Sequence, residues 1–322
     1  MKLDKISFDK YIKGSTLIDA VVRRKDMLYF IFEDDAPRPE TETTWTRVIT
    51  CNDRPGLRPW GIAELKGMLN MKASVAYQPK EQFVGFSLNH HIYAIGSGEV
   101  GFEKDLSSGK NDAGEWAGMR GGAVKSKTID GWLWIVGSGR SVMRRQGNNT
   151  WEWHSAIPDR SLMDDGGFED IDGFSSTDIY AAGGHGDVWH FDGKTWRAIP
   201  FPSNMSLETV CCAGDGMVYI GADEGAVFQG RGEQWKLIHR GDTTLSYTDL
   251  VWYQDRVWGT SDYGVWHIQN GKVKRAHLPD GVRVCAGHLS AADGVLLLAG
   301  QYGATLFDGK QWNRIIDFNN LA

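Results

Sequence analysis

The sequence predicts an all-β chain folded as a seven-bladed β-propeller of four-stranded antiparallel blades. Three observations predict it. The glycines that close one recurrent turn, Gly186, Gly225, Gly264 and Gly303, follow one another at 39-residue steps. A large side chain in the strand before that turn (Tyr180, Tyr219, Trp258, Leu297) keeps the same step. The composition, 40 Gly and 14 Trp in 322 residues, suits short strands joined by tight turns. Units of about 40 residues with four short strands are propeller blades.

Taken in order, the units fall at 13–66, 82–118, 122–157, 168–199, 207–239, 246–278 and 282–316 of a single domain, 1–322. The first has strands at 28–32 and 45–49, and its turn is replaced by the longer segment 34–44. An insertion is expected at 61–81, with a short helix over Ala63-Glu64-Leu65-Lys66-Gly67-Met68-Leu69. Gly98 and Gly139 continue the turn series backwards at looser steps. The fourth unit is clearest, with strands at 168–174, 178–183, 188–191 and 195–199. Second strands such as Leu133-Trp134-Ile135-Val136 and Val295-Leu296-Leu297-Leu298 are apolar on both faces. They need cover on both faces, which neighbouring blades supply. Asp192-Gly193 and Asp308-Gly309 are hairpin turns between third and fourth strands. Trp196, Trp235 and Trp312 are expected to fill equivalent gaps between blades. Residues 5–12 are a candidate edge strand for the last unit. The rival architecture is six blades plus an N-terminal lobe.

The stretch Asp178-Ile179-Tyr180-Ala181-Ala182-Gly183-Gly184-His185-Gly186-Asp187-Val188-Trp189-His190-Phe191-Asp192-Gly193-Lys194-Thr195-Trp196 resembles the repeat of bacterial propeller proteins, D-V-W-A-V-G followed by H-x-D-G-x-x-W. Phe307-Asp308-Gly309-Lys310-Gln311-Trp312 is similar to its second half. The resemblance implies a fold and no particular activity. Asp192-Gly193-Lys194-Thr195-Trp196 also loosely resembles the Asp-box of sialidase-like propellers, one residue short, and that box is a structural turn.

Net charge is −6, and the longest basic clusters, Arg23-Arg24-Lys25 and Arg144-Arg145, are too short for a nucleic-acid footprint. No apolar run approaches the roughly 20 residues of a membrane helix. The start, Met1-Lys2-Leu3-Asp4-Lys5-Ile6, lacks a signal-like apolar stretch, and Cys51, Cys211, Cys212 and Cys285 form no disulfide framework. A cytoplasmic protein is expected.

No catalytic residue, metal site or cofactor is assigned. The histidines show no metal-ligand spacing, and His190 and His267 repeat at third-strand positions away from the axis. Gly96-Ser97-Gly98 and Gly137-Ser138-Gly139 are repeat turns rather than phosphate loops. The acidic pairs Asp164-Asp165, Glu169-Asp170 and Asp223-Glu224 lack a partner arrangement for acid–base or calcium chemistry.

In a propeller the turn between second and third strands shares a face with the link to the next blade. The expected partner-binding residues on that face are Glu99, Arg140, His185, Asp223, Glu224, Asp262, Tyr263 and Tyr302, with Asp164, Asp165 and Arg240 from the links. They vary where the adjacent glycines repeat. The expected function is a non-catalytic protein-binding module. One form of it is a bacterial immunity protein that neutralises a basic toxin or enzyme. The alternatives are a carbohydrate-binding or glycoside-hydrolysing propeller and an assembly scaffold.

Overall fold

The computed structural model describes residues 2–106, 112–114, 117–154, 157–158, 166–241 and 244–321. Seven sheets of four antiparallel strands are arranged in a ring. Blade 1 is β1 (Ser15–Arg24), β2 (Met27–Asp34), β3 (Trp45–Asn52) and β4 (Trp60–Lys66). Blade 2 is β5 (Lys72–Ala76), β6 (Gln82–Phe86), β7 (Ile92–Gly96) and β8 (Gly101–Phe102). Blade 3 is β9 (Ala123–Ile129), β10 (Trp132–Gly137), β11 (Ser141–Gly147) and β12 (Thr150–Trp153). Blade 4 is β13 (Asp170–Ser175), β14 (Asp178–Gly183), β15 (Asp187–Phe191) and β16 (Trp196–Ile199). Blade 5 is β17 (Leu207–Cys212), β18 (Val218–Ala222), β19 (Val227–Arg231) and β20 (Gln234–His239). Blade 6 is β21 (Asp249–Tyr253), β22 (Arg256–Ser261), β23 (Gly264–Gln269) and β24 (Lys272–Arg275). Blade 7 is β25 (His288–Ala292), β26 (Val295–Gly300), β27 (Gly303–Phe307) and β28 (Trp312–Asp317).

The first strand of each blade lines the hub and the fourth lies at the rim. The apolar second strands are sandwiched as their sequences require. Leu133, Trp134, Ile135 and Val136 are fully buried, and they divide between two clusters. Leu133 and Ile135 pack toward blade 2, and Trp134 and Val136 toward blade 4. Trp196 lies in that second cluster, while Trp235 and Trp312 lean half-buried on the equivalent clusters of blades 4–5 and 6–7. Asp130-Gly131 and Asp293-Gly294 join first to second strands with positive φ at both residues, the type I′ geometry that matches strand twist.

Three expectations differ from the structure. Residues 61–81 hold no inserted helix. β4 and β5 lie there, and β4 alternates, with Ile62, Glu64 and Lys66 exposed and Leu65 buried. Ala, Glu, Leu and Lys favour helices in isolation, but pairing with β3 along its whole length overrides that weak preference. Blade 2 therefore begins at Lys72 and not near residue 82, and Gly98 lies between its third and fourth strands. Its second-to-third turn spans 87–91 and takes positive φ at His90 instead of a glycine, so an alignment built on glycines slipped by one strand.

Residues 5–12 form no strand. α1 (Lys5–Tyr11) starts at Asp4, whose carboxylate accepts from the Ser7 N–H at 2.7 Å, and it buries Phe8. Leu3, Phe8 and Ile12 pack into the cluster shared by blades 1 and 7, joined by Phe318 and Leu321 of α3 (Phe318–Leu321). The Leu3 N–H donates to the Ile315 carbonyl at 2.8 Å. All four strands of blades 1 and 7 come from their own ends of the chain, so no strand is shared at the seam.

Each inner strand presents an unpaired edge to the hub, and those N–H groups need acceptors. Side chains of the neighbouring blade supply several. Asp19 accepts from Ala73 N, Asp170 from Val210 N, Thr209 from Leu250 N, and Asp249 from Leu289 N. The Ser290 hydroxyl accepts from Val22 N at 3.0 Å and so bridges the seam. Ser74 and Ser126 join blades 2 and 3, and Lys127 stands 3.7 Å from Asp172 between blades 3 and 4. Every junction of the ring is thus tied at the hub. The acidic residue Asp170 is a strut, accepting from the Thr209 hydroxyl at 2.8 Å and the Val210 N–H at 3.0 Å.

Candidate protein-binding face

The hub encloses a cavity of about 370 Å³ lined by Asp19, Lys72, Lys125, Lys127, Asp170, Asp172, Asp249 and His288 among others. Several of its charges are engaged with one another, while Lys72 donates to the Ile18 carbonyl at 3.0 Å. Lys125 donates to the Asp249 carboxylate at 2.5 Å and to the Thr248 carbonyl at 3.2 Å, reaching from blade 3 to blade 6 across the axis. Burial alone would raise the Asp249 pKa. The Lys125 charge and hydrogen bonds from His288 and Lys125 overcome it and hold the carboxyl well below the usual range. Burial likewise opposes the Lys125 charge, but Asp249 and Asp170 keep its pKa above the ordinary lysine value. Burial raises Asp172 despite Lys127. This is a bolted core.

The two faces differ. Inner strands run from the inter-blade links to the first-to-second turns, so links and second-to-third turns share one side, here the link face. Isolated bridges Ser138↔Gly167 and His185↔Ser206 pin such turns to the neighbouring links. His185, Asp223, Glu224, Asp262, Tyr263, Tyr302, Arg140 and Arg240 all lie on turns or links of this face. His185, Glu224, Arg240, Asp262, Tyr263 and Tyr302 are exposed there. Asp223 is half-buried and accepts from Ser206 N at 3.2 Å. Arg140 is taken up by the fold: it makes a bidentate pair with Asp187 of blade 4 at 2.6 and 2.9 Å, over the Trp189 ring.

Glu99 does not belong with these residues. It sits between β7 and β8 on the opposite face, where Asn148 donates to it at 3.3 Å. Its misplacement follows from the one-strand slip in blade 2. Asp164 and Asp165 lie outside the described residues.

Three further features of the link face arise only from the fold. Leu88 on the true turn of blade 2 is 51% exposed. Glu169 and Glu208 line a cleft of about 400 Å³ with Ser138, Gly166, Gly167, Gly184 and Ser206. Burial, then the charges of Glu208 and Asp170, push the Glu169 pKa up. The Ser206 hydroxyl donates to Glu208 at 3.1 Å, and among the described residues no ion pair engages either carboxylate. The third is a second cleft, between blades 6 and 7, flanked by Tyr263 and Tyr302. The recurrence of Asp170, Thr209 and Asp249 at steps of 39 and 40 marks where inner strands begin, the signal that locates the Glu169 cleft beside them.

His190 and His267 stay on third strands. The His190 ring lies 2.9 Å from Asp178, and His267 packs edge-on against Trp258, where burial pushes its pKa down to about 4. Asp192 and Asp308 each accept from two backbone N–H groups of their own turns, a structural task. Among the described residues the four cysteines are free, and burial raises the pKa of each. No helix among the described residues is long and apolar enough to cross a membrane.

No family model matches the sequence. Among solved structures, the WD40 β-propeller domain of Doa1 aligns with TM-score 0.60 at 11% identity, covering 92% of this chain and 94% of that one. The β-propeller domain of the Trilobed protease from Pyrococcus furiosus, described as having an open velcro topology, aligns with TM-score 0.58 at 11% identity over 96% and 97%. These likenesses show the fold. A curated relative from Pseudomonas aeruginosa, the immune protein Tsi7, is 31% identical over 307 residues, covering 92% of this chain and 96% of its own length.

Proposed function

The chain belongs to the family of the immune protein Tsi7 and is an immunity-type, protein-binding propeller, and from that premise we propose that it neutralises a protein toxin by holding it on the link face. The observation that carries the choice of face is the Glu169–Glu208 cleft. Two carboxylates share a partly desolvated mouth beside the hub, repel one another, and meet no ion-pair partner among the described residues. Exposed Glu224 stands on a turn of the adjoining blade 5. A lysine or arginine from a partner relieves that repulsion and gains charge-assisted hydrogen bonds. With a net charge of −6 the chain favours encounter with a basic surface. The toxin is therefore basic where it meets the hub mouth. The free cysteines accord with a reducing compartment, and we place the protein in the cytoplasm.

The test is binding of the toxin that co-purifies stoichiometrically with the wild-type chain. Glu208→Lys is expected to weaken the affinity at least about tenfold at low salt, a change of about 1.4 kcal/mol, with the loss shrinking as salt rises. Unchanged affinity and unchanged salt dependence would refute a link-face interface.

A further inference from the structure

Tyr263 and Tyr302 occupy the same position in successive repeats, 39 residues apart, and are 59% and 56% exposed. Large side chains left that open on neighbouring turns are unusual in a fold that buries aromatics between its blades. Their backbones are braced from the rim. Arg275 donates to the Tyr263 carbonyl at 2.7 Å, and Arg314 to the Tyr302 carbonyl at 3.4 Å. The rings therefore stand on fixed supports and lose little freedom on contact.

Between the rings lies a cavity of about 320 Å³ with Val284 and Ala286 in its lining. Charge at its edge runs against the rest of the molecule. The lining carries two arginines, Arg275 and Arg283, and one carboxylate, Asp262, in a chain whose net charge is −6. Arg283 is paired with Asp280 at 2.9 Å. Arg275 is exposed, lies over the Trp266 ring, and has no carboxylate partner among the described residues.

We propose that this cleft between blades 6 and 7 is the anchor of the toxin interface. It takes one apolar side chain of the toxin between Tyr263 and Tyr302, and a neighbouring toxin carboxylate pairs with Arg275. The proposal rests on the reading of a toxin held on the link face and adds a second, oppositely charged contact to the Glu169 mouth. Tyrosine and arginine around a desolvated pocket are the residue types that dominate binding energy at protein interfaces. Two contacts of opposite sign, at separate points of one face, fix the toxin's orientation.

The test compares Tyr263→Ala, Tyr302→Ala and Arg275→Gln with Phe102→Ala, whose ring is 58% exposed on the short edge strand of blade 2. Affinity for the co-purified toxin is measured by calorimetry, and circular dichroism confirms folding. The tyrosine variants are expected to weaken binding at least thirtyfold and Arg275→Gln about tenfold, with Phe102→Ala unchanged. Wild-type affinity in both tyrosine variants while Glu208→Lys binds weakly would overturn the anchor and leave the toxin reading standing. Wild-type affinity in all of them would overturn both. A tyrosine-dependent dimer of this chain, or tyrosine-dependent glycan binding with toxin affinity unchanged, would also overturn the anchor.

Discussion

Replacing Asp249 with Asn removes one charge from the hub and little else. Asn keeps an oxygen for the Leu289 N–H, which Asp249 holds at 3.0 Å, so the junction of blades 6 and 7 retains its strut. Lys125 loses the carboxylate it is hydrogen-bonded to and remains in the bolted cavity, with Asp170 the next charge that favours it. Breaking one side of a buried pair typically costs about 3–5 kcal/mol. With an unfolding entropy of roughly 2 cal/mol/K per residue, that is a fall in Tm of about 4–8 °C for a chain of this length. The pH dependence gives an independent check. The folded pKa of Asp249 lies below its unfolded value, so its contribution is fully present above about pH 4 and fades as pH falls toward the folded value. Lys125, held above the ordinary lysine value by the carboxylates around it, keeps its charge across that acid range, so the titrating member of the pair is Asp249. Wild type therefore loses stability on acidification that Asp249→Asn has already lost, and the gap between them narrows below about pH 4. Melts followed by circular dichroism from pH 7 to pH 3 read both effects. Equal melting at pH 7, or a gap that stays constant across the range, would refute the argument that this ion pair spans and stiffens the hub.

Trp196→Ala empties a site that is 7% exposed and stacked on Phe191 at 5.2 Å, and is expected to cost about 3–5 kcal/mol in urea unfolding; half-buried Trp235→Ala should cost less, and the reverse order would contradict the packing described here. Gly186 has φ +70°, and a Cβ there would stand 1.9 Å from the Ser203 carbonyl oxygen, so Gly186→Ala is expected to destabilise by at least about 2 kcal/mol in the same assay. Ser290→Ala strips the acceptor from the Val22 N–H at the seam and should cost about 1–3 kcal/mol; hydrogen exchange should quicken at Val22 before it quickens in blade 4.

The repeats that the sequence displays most clearly are those in which the fold requires a glycine or a large apolar residue at a fixed step. Blades 4 to 7 meet that condition, with Gly186, Gly225, Gly264 and Gly303 at or beside their second-to-third turns. Blade 2 does not: its turn reaches positive φ through His90, and the nearby Gly96-Ser97-Gly98 imitates the expected signal one strand too late. That one substitution sent Glu99 to the wrong face. Helix propensity misled at 63–69 for a different reason, since only the partner strand reveals that those residues pair. The candidate face was legible as a set of variable turns, but the use of Arg140 was not. Its bidentate pair with Asp187 spans 47 positions and depends on two blades meeting. The Glu169–Glu208 cleft was hidden similarly, because the two carboxylates come together only where consecutive links enter the hub.

Closure without a shared strand explains why polar side chains accumulate at the axis. A propeller whose last blade borrows a strand from the other end of the chain is held shut by a strand's worth of hydrogen bonds. Here the seam has the Ser290–Val22 contact, the apolar packing of blades 1 and 7, and a clasp in which α1 and α3 meet. The Lys125–Asp249 pair adds a tie from blade 3 to blade 6 that does not cross the seam at all, so it resists opening by holding the opposite half of the ring rigid. Charges spent inside the hub in this way leave the link-face turns, Arg140 with its Asp187 pair apart, little part in holding the ring beyond their local pins. That separation lets the turns diverge in chemistry from blade to blade, acidic at the Glu169 mouth and aromatic with arginine at blades 6 and 7, while the wheel beneath them stays the same.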